Sequence, residues 1–341
     1  MGNHFSPEAW HKLFEERRPK PLSAPWWARG GHRQTILSHF LRKVDDLPRC
    51  TPESVQLDGS DQLAIRYYPG TTDTIVYLFH GLGGSADADY MSRATLVAGK
   101  RGFHVFSVNH RGCGEGAGLA REPYHSGRGE DLAAVIAHGR RKFPKARHLA
   151  VGFSLSGNAL LLLLSGKRGV TKPDGAVAVN APIALQTAAV AIKSGFNRVY
   201  DLRFVLRLRR SVRQRQAAGL EPEPYQIPPW ATLHDFDNLY TAPAGGFSDR
   251  EDYYHSCSTK DLLVHIQTPT VLMSSVDDPI VRWHDYAEAQ RSASVYLHRE
   301  QVGGHMGYLS ANDTPYGSKF WLDYALDQYL VALNEGLRIR S

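Results

Sequence analysis

Residues 152–157, Gly152-Phe153-Ser154-Leu155-Ser156-Gly157, carry a serine among small neighbours where an apolar run gives way to a helical pattern. A serine hydroxyl is a poor nucleophile unless a base activates it and the backbone holds it exposed. A sharp strand-to-helix turn does the holding, and its backbones pass so close that small residues are needed. Gly152 meets that need two residues before Ser154. Two residues after it stands Ser156, where the G-x-S-x-G pattern has glycine, which predicts modest crowding at the turn. Ser156 is not itself placed to attack, because its own flanks would be Ser154 and Asn158.

Such a serine needs an imidazole to take its proton and return it to the leaving group. It also needs a carboxylate to fix the imidazole's tautomer. On a strand-turn-helix scaffold of this kind the order along the chain is serine, acid, histidine. The chain supplies Val276-Asp277-Asp278-Pro279 and then Gly303-Gly304-His305. Each follows a strand-like run, so both side chains are expected at the edge that carries Ser154. Asp278 is the expected carboxylate, with Asp277 its alternative, and the glycines before His305 permit a tight loop. The chain has 16 histidines, so position in this order, and not residue type, selects His305.

Attack on a carbonyl creates a negative oxygen that needs preorganised N–H donors. One is expected from the amide after the nucleophile, Leu155. The other is expected from His80-Gly81-Leu82-Gly83-Gly84-Ser85, with Leu82 the donor. A Gly-rich stretch can also cradle phosphate, but no Gly-Lys-Ser/Thr follows and no G-x-G-x-x-G occurs. A phosphate loop and a dinucleotide site are therefore disfavoured, and no cofactor is expected.

These loops require strands that end at one edge. Residues 74–79, 103–108, 148–152, 176–179, 270–273 and 295–297 read as strands, and 87–100, 129–143, 156–166 and 317–334 as helices. Leu132, Ala133, Val135, Ile136 and Phe143 form the inward face of the second helix. Apolar strands alternating with helices imply an α/β fold with a mostly parallel central sheet covered on both faces. Two short strands within 54–69 flank the turn Asp58-Gly59-Ser60-Asp61. The alternation lapses between 179 and 270, and residues 183–265 are expected to form a cap over the carboxyl edge, where open α/β sheets bind ligands. Residues 1–50 read as a helical or irregular extension, with Ser6-Pro7 as a helix start, and 1–341 as a single domain.

Composition narrows the setting. The 341 residues are 42% hydrophobic and 22% charged, ordinary for a soluble globular chain. Forty Lys and Arg against 34 Asp and Glu leave a net charge of +6, a weak bias toward anionic partners. Cys50, Cys113 and Cys257 form no C-x-x-C pair, which argues against a disulfide framework or a zinc site and fits a reducing, cytoplasmic setting. No apolar signal-peptide core follows Met1, although Gly2 with Ser6 fits the short myristoylation pattern. The apolar stretch from Leu149 to Leu164 is broken by Gly152, Ser154, Ser156, Gly157 and Asn158, so it reads as strand, turn and helix instead of a membrane span.

Taken together, these residues resemble the YheT-like branch of the α/β hydrolases, which includes the eukaryotic ABHD (α/β-hydrolase-domain) lipases and fungal medium-chain fatty-acid ethyl ester synthases/esterases. The likeness covers nearly the whole chain. Gly31-His32-Arg33-Gln34-Thr35-Ile36, Asn109-His110-Arg111-Gly112-Cys113-Gly114 and Tyr124-His125-Ser126-Gly127 resemble signatures of that branch, as do Phe236-Asp237, Tyr253-Tyr254 and Asp277-Asp278-Pro279. The resemblance implies an α/β-hydrolase fold and hydrolysis of a small acyl ester or lipid, with Ser154, Asp278 and His305 as the matching triad. Tyr124 and His125 are expected to shape the pocket or to pin helix 129–143. Cys113 is expected to be a small buried residue, with a reactive thiol as the alternative.

Residues 198–215 hold Arg198, Arg203, Arg207, Arg209, Arg210, Arg213 and Arg215, interleaved with Val199, Leu202, Leu206 and Val212. One reading is a basic amphipathic helix that meets a phospholipid surface. The other is a solvated cap helix with its apolar stripe on the core. Nucleic acid is not an expected partner, since no recognition fold accompanies the charge. Three functions stay open at this level: ester hydrolysis, acyl transfer to an alcohol, and a non-catalytic binding module on the same scaffold.

Overall fold

A computed structural model describes residues 6–41, 44, 46–221 and 224–338. Gly2, and with it the myristoylation pattern, lies outside the described residues. The strands β1 (Thr51–Gln56), β2 (Gln62–Tyr68), β3 (Thr74–Phe79), β4 (His104–Asn109), β5 (Arg147–Phe153), β6 (Gly175–Val179), β7 (Thr270–Ser275) and β8 (Val295–Glu300) form one sheet. Their order is β1-β2-β4-β3-β5-β6-β7-β8. The pairs β1·β2 and β2·β4 are antiparallel, and the others are parallel.

Successive side chains of a strand point to opposite faces. Ile75, Tyr77 and Phe79 of β3 therefore pack on one side, against α4 (Gly129–Lys142) and α5 (Leu155–Ser165). Val76 and Leu78 pack on the other, against α3 (Asp89–Lys100) and the C-terminal helix Trp321–Arg338. Both faces are covered, which is why β3 is buried along its whole length. Leu160 to Leu164 of α5 are all fully buried, because this helix is enclosed on every side. The C-terminal helix begins four residues later than the sequence pattern suggests: Leu309 and Phe320 form a β-bridge, and Gly317 turns at φ +70° before it.

The N-terminal segment is held down at both ends. Ser6 caps α1 (Pro7–Glu16) through its side-chain oxygen, which accepts from Ala9 N–H, and Pro7 takes the first helical position. Trp10 and Phe14 of α1 are buried in the same cluster as the C-terminal helix. A second helix, α2 (Gly31–Leu37), sits at the carboxyl edge of the sheet.

Between β6 and β7 lie α6 (Leu185–Ile192), α7 (Arg198–Ala217), a π-helical turn Asp237–Thr241 and the helix Arg250–Cys257. Most of the apolar stripe of α7 faces outward and not onto the core. Tyr200, Val205 and Val212 are buried, but Val199, Leu202 and Leu206 are 52%, 55% and 54% exposed. Residues 199, 202 and 206 share one helical face and 201, 205, 212 and 215 the other, so Arg215 takes an inward position. It is buried, donating to Tyr240 Oη at 3.0 Å and to Ala120 O at 3.1 Å and paired with Glu221. Among the described residues no helix is long and apolar enough to cross a membrane.

Candidate active site

Ser154 sits between β5 and α5 at φ 52° and ψ −119°. That is a strained region for a residue with a side chain, and such strain persists only where the surroundings enforce it. Here its N–H is bound to Val179 O at 2.8 Å, while α5 starts one residue later. The tight approaches fall at Gly152 and Gly157. A Cβ at Gly152 would lie 2.6 Å from Ser156 O, and one at Gly157 would lie 2.9 Å from Ala181 Cβ. Position 156 is not crowded: the Ser156 side chain is buried in hydrogen-bonding contact with His80 O, His110 Nε2 and Tyr124 Oη.

His305 Nε2 lies 2.9 Å from Ser154 Oγ, and His305 Nδ1 lies 2.9 Å from Asp278 Oδ2. The same Asp278 oxygen accepts from Asn180 Nδ2 at 2.7 Å, and Oδ1 accepts from the N–H groups of Ile280 and Val281 at 2.8 and 3.0 Å. Asp277 is turned elsewhere. Its Oδ1 accepts from Gly303 and Gly304 N–H, both at 2.9 Å, and so shapes the loop that carries His305. Burial pushes the Asp277 carboxyl up from its ordinary range.

Helix α2 is wedged between these two loops. A Cβ at Gly31 would fall 1.7 Å from Asp277 O, so only glycine fits there. Thr35 Oγ1 donates to Gly31 O at 2.7 Å and accepts from His305 N–H at 2.8 Å. Gln34, fully buried, donates to Ala28 O and Leu309 O and accepts from Leu309 N–H at 2.6 Å. The signature at 31–36 thus holds the backbone of the histidine loop. Sequence reasoning assigned it no role, because its partners at 277, 305 and 309 lie far along the chain.

The loop after β3 passes directly over the serine: a Cβ at Gly81 would lie 3.0 Å from Ser154 Cβ. Gly81 N–H donates to Tyr90 Oη at 2.9 Å and Gly84 N–H to Gly81 O at 3.1 Å. Leu155 is the first residue of α5, where a helix leaves its N–H groups without intrahelical acceptors.

The remaining signatures brace this platform. Asn109 Oδ1 accepts from Ala86 N–H at 2.8 Å, tying the 80s loop to β4. Arg111 pins α4 through a bidentate pair with Asp131 at 2.7 and 2.8 Å, and His125 O accepts from the N–H of Arg128, which caps that helix, at 3.3 Å. Tyr124 instead reaches Ser156 on α5, and Ser126 Oγ accepts from Asn158 Nδ2 at 2.7 Å. Tyr124 and His125 also line the cavity described next. Cys113 lines it too, but burial pushes its thiol up to about 12, which keeps it from acting as a thiolate at neutral pH.

A cavity of about 290 Å³ opens between the sheet edge and the inserted helices, with Ser154, His305, Leu82 and Leu155 on its floor side. Leu185, Ile192, Phe204, Leu208, Val212 and Phe236 give it an apolar wall. Asp237 also lines it, accepting from Thr241 Oγ1 and Tyr254 Oη, both at 2.7 Å. Burial pushes its carboxyl up to about 6, against the opposing effects of these two hydrogen bonds and of the Arg250 charge. A carboxyl raised in the folded state contributes stability below its unfolded pKa and loses it as pH rises through the folded one. The stability of the native protein relative to Asp237→Asn is therefore expected to fall from pH 4 to pH 7, by on the order of 3 kcal/mol for a shift from 3.8 to about 6. Denaturant unfolding of both proteins across that range measures it; a difference independent of pH contradicts the assignment.

Residues 74–311 match the family of the alpha/beta hydrolase fold. Over 316 residues the chain is 31% identical to YheT of Escherichia coli (strain K12), a protein named as a proposed esterase, covering 89% of this chain and 91% of that one. It is 29% identical over 280 residues to the monoacylglycerol lipase of Saccharomyces cerevisiae, covering 78% of this chain and 61% of that one. The solved esterase Pf2001 of Pyrococcus furiosus superposes with a TM-score of 0.54 at 16% identity, covering 87% of this chain and 98% of that one, a likeness that speaks for the fold alone. The chain belongs to the α/β-hydrolase family, in its YheT-like branch.

Proposed function

We propose that this protein is a serine hydrolase of carboxylic esters that works through an acyl-enzyme. The observation that carries the reading is the unbroken line from Ser154 Oγ to His305 Nε2 and from His305 Nδ1 to Asp278 Oδ2, both at 2.9 Å. With every contact of Asp278 a donor, its carboxylate keeps the proton of His305 on Nδ1, which leaves Nε2 free to accept. His305 takes the Ser154 proton as Oγ attacks the ester carbonyl, and Asp278 stabilises the imidazolium. The amides of Leu82 and Leu155 stabilise the oxyanion. His305 then protonates the leaving alcohol, and a water, deprotonated by the same imidazole, releases the carboxylic acid.

The apolar wall suits an acyl chain, with the inserted segment 183–265 serving as a cap. The similarity to a monoacylglycerol lipase favours a small acyl ester or lipid. The same acyl-enzyme would pass its acyl group to an alcohol that outcompetes water, so product analysis with added ethanol separates hydrolysis from transfer. The reading is tested with p-nitrophenyl esters of graded chain length and a fluorophosphonate probe. Turnover is expected together with a single adduct on Ser154. A native protein that neither turns over any ester nor labels is a binding module on a hydrolase scaffold.

A second reading concerns where the substrate comes from. Phe196 is 57% exposed, and with Val199, Leu202 and Leu206 it forms an apolar strip next to the exposed Arg203, Arg207 and Arg210. That combination fits the surface of an anionic lipid bilayer. Leu202→Ser with Leu206→Ser is expected to weaken binding to phosphatidylglycerol vesicles about tenfold, the equivalent of losing partial burial of two leucines. Turnover of a soluble short-chain ester is expected to stay at the native level. Vesicle sedimentation unchanged by the double substitution, or absent for the native protein, ends this reading.

A further inference from the structure

We propose that Ser156, the serine standing where the nucleophile turn of this family's pattern has glycine, is a positioning residue that fixes the direction of the Leu82 N–H. This rests on the hydrolase reading above.

The argument starts from one hydroxyl with one proton and two lone pairs. Ser156 Oγ has three partners: His80 O, His110 Nε2 at 2.6 Å and Tyr124 Oη at 2.7 Å. A carbonyl oxygen only accepts, so the Ser156 proton goes to His80 O. The other two partners must then donate, which places a proton on His110 Nε2 and directs the Tyr124 hydroxyl at Ser156. His110 N–H in turn donates to His80 Nε2 at 3.2 Å. His80 therefore carries its proton on Nδ1 and donates it to Gly81 O at 2.8 Å. Burial pushes the His80 imidazole down to about 4 and that of His110 well below its ordinary value, so both rings stay neutral and the proton positions hold at neutral pH.

The consequence falls on one peptide unit. In a trans peptide the C=O of residue 81 and the N–H of residue 82 point in opposite directions. Gly81 O is held by His80 Nδ1–H and by Gly84 N–H. Gly81 N–H is held by Tyr90 Oη. With that carbonyl fixed, the Leu82 N–H has one direction, and a flip of the peptide would break two hydrogen bonds. The His80 ring that holds Gly81 O is itself located by Ser156 through His80 O and by His110, whose far end Ser156 also holds. Ser156 lies in the first turn of α5, two residues after Ser154. It therefore sets the register between the nucleophile and one expected oxyanion donor. Glycine at this position would leave His80 O, His110 Nε2–H and the Tyr124 hydroxyl without this partner.

The test compares native protein, Ser156→Ala and Tyr124→Phe on a soluble p-nitrophenyl ester. An oxyanion donor displaced by a fraction of an ångström costs less than one removed, so Ser156→Ala is expected to lower kcat about 10- to 100-fold with KM within about threefold. The inhibition constant of a boronic acid, which mimics the tetrahedral species, is expected to rise by the same factor. Affinity for the product carboxylate, and the pH midpoint of kcat, are expected not to move. Tyr124→Phe removes one donor to Ser156 Oγ but leaves the Ser156–His80 link in place, and is expected to lower kcat about three- to tenfold with the boronate inhibition constant rising in step; it carries the test should Ser156→Ala fail to fold, since a native kcat and boronate affinity in that variant would contradict the wiring. Native kcat and native boronate affinity in Ser156→Ala overturn the proposal. So does a loss in which KM and product affinity worsen in step with kcat, the mark of a disordered pocket. Absence of ester turnover in the native protein would instead sink the hydrolase reading.

Discussion

Ser154→Ala is expected to lower kcat on a soluble ester about a millionfold and to abolish fluorophosphonate labelling, since a triad that loses its nucleophile keeps only the contributions of binding and oxyanion donors. The measurement is single-turnover kinetics at enzyme concentrations that resolve a residual rate. The substitution leaves the turn intact, because alanine keeps Cβ and loses only Oγ. It also keeps the backbone at φ 52° and ψ −119°, where any Cβ is strained. Ser154→Gly relieves that strain and is expected to be equally inactive but to melt at a higher temperature than Ser154→Ala. Activity within a hundredfold of native in either variant would move the chemistry to another residue.

The convergence of residues 154, 278 and 305 was legible because chain order and strand polarity are enough to bring them together. Three parallel strands, β5, β7 and β8, deliver their following loops to one edge, whatever the details of packing. The sheet itself was legible from unbroken apolar runs such as β3, which has to be covered on both faces: Ile75, Tyr77 and Phe79 face one cluster and Val76 and Leu78 the other. The wedge formed by α2 was not legible. Thr35 meets His305 across 270 residues of sequence, and nothing local to either residue encodes that contact. The phase of α7 stayed open between two readings for a related reason. Valine and leucine at 199, 202 and 206 share a face with arginines, and which face turns inward is decided by the residues it meets, here the partners of Arg215 at 120 and 240. The second serine of the turn, Ser156, looked like a defect because its partners, His80, His110 and Tyr124, come from two other loops.

The two adjacent aspartates separate cleanly when each is changed to asparagine. Asp278 accepts four hydrogen bonds, from His305 and Asn180 on one oxygen and from Ile280 and Val281 N–H on the other. An asparagine amide must turn its NH2 toward one of those pairs of donors. Facing Ile280 and Val281, it leaves two backbone N–H groups buried without an acceptor. Facing His305, it forces the imidazole proton from Nδ1 to Nε2, where it points at Ser154 and blocks proton abstraction. Asp278→Asn is therefore expected to lower kcat about 10⁴-fold through the wrong tautomer. Asp277 uses one oxygen for the Gly303 and Gly304 N–H groups. Asparagine reproduces that acceptor, so Asp277→Asn is expected to cost less than about tenfold in kcat, at the level of a small shift in the loop that bears the base. Steady-state kinetics on one ester decides between them. Equal losses, or a larger loss at Asp277, would assign the acid to the wrong carboxylate and leave the four donors around Asp278 holding a purely structural charge.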